Sequence, residues 1–291
     1  MTEPRRAVLS VDFERFDHTP AYRQARGSLS DSAVGLSGAA WLREAFDAAG
    51  TTTTWFTVGE VVADHPDAVE KLVAAGHEVG SHTYTHRLLT ELDATERREE
   101  LERSRAILEE TTGETVSGFR APAFDFGAGH FEALETAGYE YDSSVVASRT
   151  IPGWYGGEYE LTRPAPATTV DSAAPETIAE LPVSVMPGLR LPLTGTWMRF
   201  FGPRYTISGM KLLARRGITP VLYVHPWELV ELPEIDGVPQ RVYWHTGDWM
   251  RRAVERILET DFEFVPARTA LEASEGSVQG DEAGDQEPRD R

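Results

Sequence analysis

The sequence predicts an α/β fold, a distorted (β/α) barrel with about seven parallel strands. Two observations predict it. Short apolar runs alternate with longer amphipathic stretches along the chain, the pattern of repeated βα units. Histidines, carboxylates and an arginine cluster just where those apolar runs end, which is where loops of parallel α/β folds converge on a ligand.

Taken in order, 7–11 reads as a buried strand, 39–49 as a helix closed by Gly50, and 52–58 as a β-branched strand. A helix follows over 60–75, ending at Gly76, then a strand over 78–80 that runs into the His82 segment. The charged stretch 94–112 predicts a long helix with Asp93 as N-cap and Gly113 as stop. Residues 116–119 read as a strand and 128–137 as a helix. The C-terminal part adds a helix over 205–216, a strand over 220–224, a helix over 248–259 and a last strand over 262–265. The Pro-, Gly- and Thr-rich segment 151–175 predicts a long loop or insertion. Residues 1–271 read as one domain. Residues 272–291, without aromatics and rich in Glu, Asp, Gly and Gln, read as an acidic disordered tail.

Four segments carry chemistry. In Ser10-Val11-Asp12-Phe13-Glu14 an apolar strand runs into two carboxylates that the two-residue period points the same way, so one could hold a metal while the other acts as a base. In Gly80-Ser81-His82-Thr83-Tyr84-Thr85-His86 the two histidines share a face if the chain turns helically, and neutral imidazoles on one face clamp a divalent ion. A plain strand end and a surface histidine pair are the competing readings. Nearby His77 reads as a hydrogen-bonded residue at a strand start. Arg120-Ala121-Pro122-Ala123-Phe124 places an arginine at a strand end before a rigid proline, able to pair with a buried carboxylate; a surface salt bridge is the commoner role for one arginine. His225, ending an apolar strand beside Trp227, could donate a proton over an aromatic pocket or simply cap the strand.

Together these segments resemble the polysaccharide deacetylase (NodB-homology) family, also called carbohydrate esterase family four, from roughly Val8 to Val265. The likeness is to a subgroup whose first motif is Val-Asp-x-Glu or Val-Asp-x-Asp. Thr57-Val58-Gly59-Glu60, Gly76-His77-Glu78, Tyr141-Asp142-Ser143-Ser144 and His225-Pro226-Trp227-Glu228 extend it. The resemblance implies removal of an N-acetyl group from an amino sugar or polysaccharide with one divalent ion, zinc or similar. It implies Glu14, His82 and His86 as metal ligands, Asp12 as catalytic base, Arg120 as its orienting partner and His225 as general acid. Asp142 aligns loosely with an acid that orients the catalytic histidine, and the Ala123 N–H with an oxyanion donor. Phe124, Trp197 and Trp227 are candidates to stack on a sugar. Phe13 stands where the more familiar motif has a second aspartate, so Glu14 must supply the ligand, and Thr194-Gly195-Thr196-Trp197 departs from the glycine-rich pattern of the subgroup. The same site could instead serve an amidase acting on a small cyclic amide. A glycosidase using Asp12 and Glu14 leaves the histidines without a role, and a non-catalytic glycan-binding relative leaves Asp12, Arg120 and His225 unexplained.

Composition narrows the partners. A hydrophobic content of 41% supports a large core, and no apolar run is long enough to cross a bilayer. The run 7–11 is too short for a signal peptide, so a cytoplasmic location is expected. The absence of cysteine excludes disulfides, zinc–thiolate sites and thiol nucleophiles, leaving nitrogen and oxygen ligands for any metal. A net charge of −19 repels nucleic acid and anionic membranes. Only Lys71 and Lys211 are lysine among 28 basic residues, a balance suited to concentrated salt, where surface repulsion is screened. A halophilic protein is expected to unfold at a higher temperature as molar salt is added. Full stability in dilute buffer, with no gain from salt, would count heavily against this reading.

Overall fold

A computed structural model describes residues 5–25, 33–151 and 156–274. The strands are β1 (Arg5–Phe13), β2 (Thr54–Thr57), β3 (Glu78–Ser81), β4 (Gly118–Phe119), β5 (Tyr141–Asp142), β6 (Ala165–Pro166), β7 (Ala179–Glu180), β8 (Val221–Val224) and β9 (Phe262–Phe264). The helices are α1 (Pro20–Ala25), α2 (Leu36–Ala48), α3 (Gly59–Asp64), α4 (Pro66–Ala74), α5 (Ala94–Thr112), α6 (His130–Ala137), α7 (Gly195–Phe201), α8 (Pro203–Ala214) and α9 (Asp248–Leu258), followed by a helix over 267–274.

One sheet runs in the order β6-β7-β5-β4-β3-β2-β1-β8, with β9 paired to the start of β1. Every pairing is parallel except β6 with β7. The sheet curls toward closure through irregular chain beyond β7. The Ser184 N–H donates to the Val221 carbonyl at 2.9 Å, and its hydroxyl accepts from the Val221 N–H at 2.9 Å. A parallel bridge joins Thr194 to Tyr223. The barrel is distorted because this wall is made of bridges rather than full strands.

The two-residue period of β1 sorts its side chains between two environments. Leu9, Val11 and Phe13 pack outward into the main core with Leu42 and Phe46 of α2. Val8 packs in a separate cluster with Phe56, Tyr141, Leu181 and Val221. Ser10, Asp12 and then Glu14 continue that second row toward the strand's C-terminal end, and all three are buried. Phe13 is apolar for this reason: its ring meets Trp55 edge-on at 5.6 Å in the outer core. At Gly118 in β4 a side chain would collide with the Tyr141 ring and hydroxyl, so a residue without one is required there.

The structure refines several sequence boundaries. The helix expected over 60–75 is two, α3 and α4, because His65 leaves helical geometry before Pro66, which cannot donate to the preceding turn. Helix α5 matches its predicted span. Asp93 accepts from the N–H groups of Thr95 and Glu96, while Glu96 reaches back to the Asp93 N–H. The segment 151–175 is mostly irregular but contains β6, and residues 152–155 lie outside the described part. The expected tail begins inside the helix 267–274, and the rest of it, 275–291, also lies outside. No helix among the described residues is long and apolar enough to cross a membrane.

Candidate active site

The row of side chains climbing the barrel interior ends in a cavity of about 370 Å³ bordered by Asp12, Glu14, His82, His86, Tyr223, His225 and Trp227. Glu14 lies just past β1, where its N–H bonds back to the Asp12 carbonyl at 3.0 Å. His82 follows β3. His86 does not join it through a helical turn, as the i, i+4 spacing suggested: residues 82–86 form an irregular loop with positive φ at Thr83 (64°) and His86 (58°). The loop is secured by the Thr83 hydroxyl, which accepts from the His86 N–H at 3.0 Å, and by Glu100 of α5, which accepts from the N–H groups of Tyr84 and Thr85.

The outcome is a compact donor set. Ligand atoms of Glu14, His82 and His86 lie within 4.8 Å of one another, and all three residues are buried. His82 Nδ1 donates to the Arg120 carbonyl at 2.7 Å, which leaves Nε2 as the ring's lone-pair nitrogen. Burial pushes His82 down to about 4, against the pull of Asp12, so the imidazole is neutral at pH 7. Glu14 Oε2 sits 2.6 Å from His86 Nε2, yet it makes no hydrogen bond. Burial alone would raise the Glu14 carboxyl; the neighbouring His86, His225 and His82 instead hold it far below the usual carboxylate range. An ionised oxygen and a ring nitrogen pressed together without a proper hydrogen bond are what two ligands of one cation look like. The donor set, one carboxylate and two imidazoles, fits a divalent ion of the zinc type.

Asp12 faces Arg120, whose Nη1 donates to its Oδ1 at 2.6 Å and to the Ser10 hydroxyl at 2.9 Å. The rest of the guanidinium is fixed by the Ser143 carbonyl and hydroxyl, at 3.0 and 2.8 Å, and it lies over the Phe56 ring. Arg120 is fully buried, so it is a built-in counter-charge rather than a surface arginine.

His225 ends β8. Its Nδ1 meets Glu228 Oε2 at 3.2 Å, and its Nε2 stands 3.6 Å from Glu14 Oε1. Glu228 also accepts from the His225 N–H at 2.9 Å, and its other oxygen accepts from Arg199 Nε at 2.8 Å. Burial opposes the charged imidazole, but Glu228, with Glu14 and Asp12 behind it, raises His225 above its ordinary value. Gly195 at the start of α7 makes room for the Glu228 carboxylate, which a side chain there would strike.

Three expectations change. Asp142 does not touch His225; it pairs with His130 Nε2 at 3.0 Å and accepts from the Ser144 hydroxyl at 2.6 Å. Ser144 in turn accepts the Ala121 N–H at 2.8 Å, so Asp142 braces the Arg120 loop, while Glu228 is the acid on His225. Trp197 packs against Phe200 and Phe201 and does not border the cavity; Thr196, Arg199 and Phe200 do. Trp227 borders it, but its Nε1 donates to Glu14 Oε1 at 2.9 Å, holding a ligand oxygen. Ala123 and Phe124 line the cavity, both in left-handed backbone geometry. His77 is the hydrogen-bonded residue expected, its Nδ1 accepting the Thr53 N–H at 3.1 Å. Glu228 was detectable as the acid three residues after His225; Arg199 had no local signal.

The fold and site define a class: a parallel α/β barrel built around a buried carboxylate–imidazole site at its strand ends. Residues 40–141 match the polysaccharide deacetylase family model, and residues 143–272 match a domain of unknown function, DUF3473. Residues 40–141 thus carry the polysaccharide deacetylase family match, and DUF3473 follows it. The junction of the two matches falls inside one sheet, at β5, which pairs with β4 on one side and β7 on the other. The peptidoglycan deacetylase-like protein FGM2 of Gibberella zeae is 30% identical over 155 residues, covering 50% of this chain and 46% of that protein. The peptidoglycan deacetylase of Helicobacter pylori is 30% identical over 99 residues, 34% of each chain. This chain thus spans less than half the length of either curated relative. A Mycobacterium smegmatis protein assigned as a polysaccharide deacetylase superposes with a TM-score of 0.67 at 20% identity, over 94% of this chain and 92% of that one, a likeness of fold.

Removing the buried counter-charge strands Asp12 in the barrel. Arg120→Ala is expected to lower the free energy of unfolding by about 3–5 kcal/mol in a urea titration. A loss below about 1 kcal/mol, the range of exposed pairs, would mean that the pair does not organise the interior.

Proposed function

We propose that this chain removes an N-acetyl group from an amino sugar of a glycan by hydrolysis, using one divalent ion, zinc or similar, held by Glu14, His82 and His86. The observation that carries the reading is the Glu14–His82–His86 cluster in a cavity that Asp12 and His225 also border. The polysaccharide deacetylase match over residues 40–141 and the names of the two peptidoglycan-directed relatives support it. The outward packing of Phe13 supports the Val-Asp-x-Glu variant, in which Glu14 takes the ligand role.

A divalent ion bound there supplies Lewis acidity toward the acetamide carbonyl and lowers the pKa of a water. Everything else falls to side chains and backbone. Asp12, with Oδ1 engaged by Arg120, takes the attacking water's proton on Oδ2. The Ala123 N–H assists the developing oxyanion. His225, with Nδ1 turned to Glu228, delivers a proton from Nε2 to the departing amine as the C–N bond breaks, giving acetate and a free amino sugar. Trp227 fixes the Glu14 carboxylate, and Phe124 offers an apolar wall to the substrate.

Acetate release from N-acetylglucosamine oligomers should therefore stop with chelator and return with added divalent ion. Asp12→Asn and His225→Ala should each lower the rate by about 10²–10⁴-fold while the far-UV circular dichroism stays unchanged. Undiminished turnover in either variant would sink the assignment, and turnover of cyclic ureides in place of the sugars would redirect it to a cyclic amide.

A further inference from the structure

The two histidines of the donor set are held differently. A metal-ligating imidazole ordinarily donates its second ring N–H to a fixed acceptor, which sets the orientation of the ring. His82 does so through Nδ1 to the Arg120 carbonyl at 2.7 Å. His86 turns Nε2 toward Glu14, and its buried Nδ1 has no hydrogen-bond partner among the described residues. Other contacts must therefore fix the His86 ring, which sits on left-handed backbone (φ 58°).

Buried His18 lies against it, the two rings nearly parallel with 14° between planes and 6.1 Å between centroids. His18 is itself oriented at both nitrogens. Nδ1 accepts the Arg15 N–H at 3.3 Å, which puts a hydrogen on Nε2, 3.4 Å from Glu60 Oε2. Glu60 belongs to the first turn of α3, and that turn also grips the histidine loop. The Gly59 N–H donates to the Thr83 carbonyl at 3.0 Å and the Glu60 N–H to the Tyr84 carbonyl at 2.9 Å. A side chain at Gly59 would strike the Tyr84 ring, so the Thr57-Val58-Gly59-Glu60 segment has a structural reason of its own. Arg23 of α1, at the surface, completes the hold. It donates from Nη1 to the His86 carbonyl at 2.9 Å and from Nη2 to the Thr85 carbonyl at 2.7 Å.

Ring contact restricts the tilt of the His86 imidazole, and the two carbonyl bonds restrict the backbone that carries it. We propose that His18, oriented by Glu60, and Arg23 form a clamp that positions His86 for a divalent ion, in place of the hydrogen bond its Nδ1 lacks. Neither His18 nor Arg23 borders the cavity, so both act on the ion through His86 and are positioning residues. This rests on the metal reading above.

The test titrates the metal-free full chain with zinc by calorimetry and records the visible spectrum of the cobalt-loaded form, whose bands follow ligand geometry. His18→Ala and Arg23→Ala should each weaken zinc binding by about 10–100-fold and shift the cobalt bands. Arg23→Lys keeps a cationic donor and should restore part of the affinity. Lys71→Ala, at an exposed ion pair on α4, should match the native protein. Far-UV circular dichroism monitors folding, and the Arg23 variants, altered at the surface, decide the matter if His18→Ala does not fold. Native zinc affinity and native cobalt bands in the folded alanine variants overturn the clamp alone, even where the melting temperature falls. Absence of zinc and cobalt binding by the native protein overturns the metal reading and the clamp with it.

Discussion

The site is organised by one unfavourable arrangement: an ionised carboxylate, Glu14, buried among three imidazoles with one oxygen unsatisfied by any hydrogen bond. Burying such a group is costly unless charge and hydrogen bonds compensate. Trp227 satisfies one oxygen, and a divalent ion would satisfy the other together with His82 and His86. The loop carrying the histidines adopts left-handed backbone at two non-glycine positions, strain that persists only where surrounding contacts impose it. Glu100 and Thr83 impose it here.

Two buried arginines frame this arrangement. Arg120 holds Asp12 and Arg199 holds Glu228, and each bond takes one carboxylate oxygen while leaving the other free to act elsewhere. Such pairs are weak sources of net stability, because both charges lose water. Their value lies in orientation. Arg120 also fills the barrel against Phe56, where a wider barrel would admit water, and Arg199 joins α7, the turn after β8 and the 242–245 segment into one unit.

Much of this was readable from the sequence, for identifiable reasons. The alternation along β1 placed Asp12 and Glu14 on one face, and the caps Asp93 and Gly113 fixed α5, because both signals are local. The short strands β5, β6 and β7 have two residues each and no periodicity to detect, so the irregular wall of the barrel was missed. The pairing of His82 with His86 was anticipated through a helix the chain does not form. Asp142 and Trp197 were given roles their surroundings do not support, since a motif does not reveal which of two buried acids reaches His225. Arg199 is 26 positions before His225, and only the tertiary fold brings it near.

The central claim is that Glu14 completes a metal site whose usual carboxylate position is occupied by Phe13. The direct measurement is calorimetric titration of the metal-free protein with zinc, with the ion content of the purified protein determined in parallel. One ion per chain should bind tightly, and Glu14→Ala should weaken binding by at least a hundredfold without unfolding the chain. Equal affinity in Glu14→Ala, or no binding by the native protein, would contradict the account.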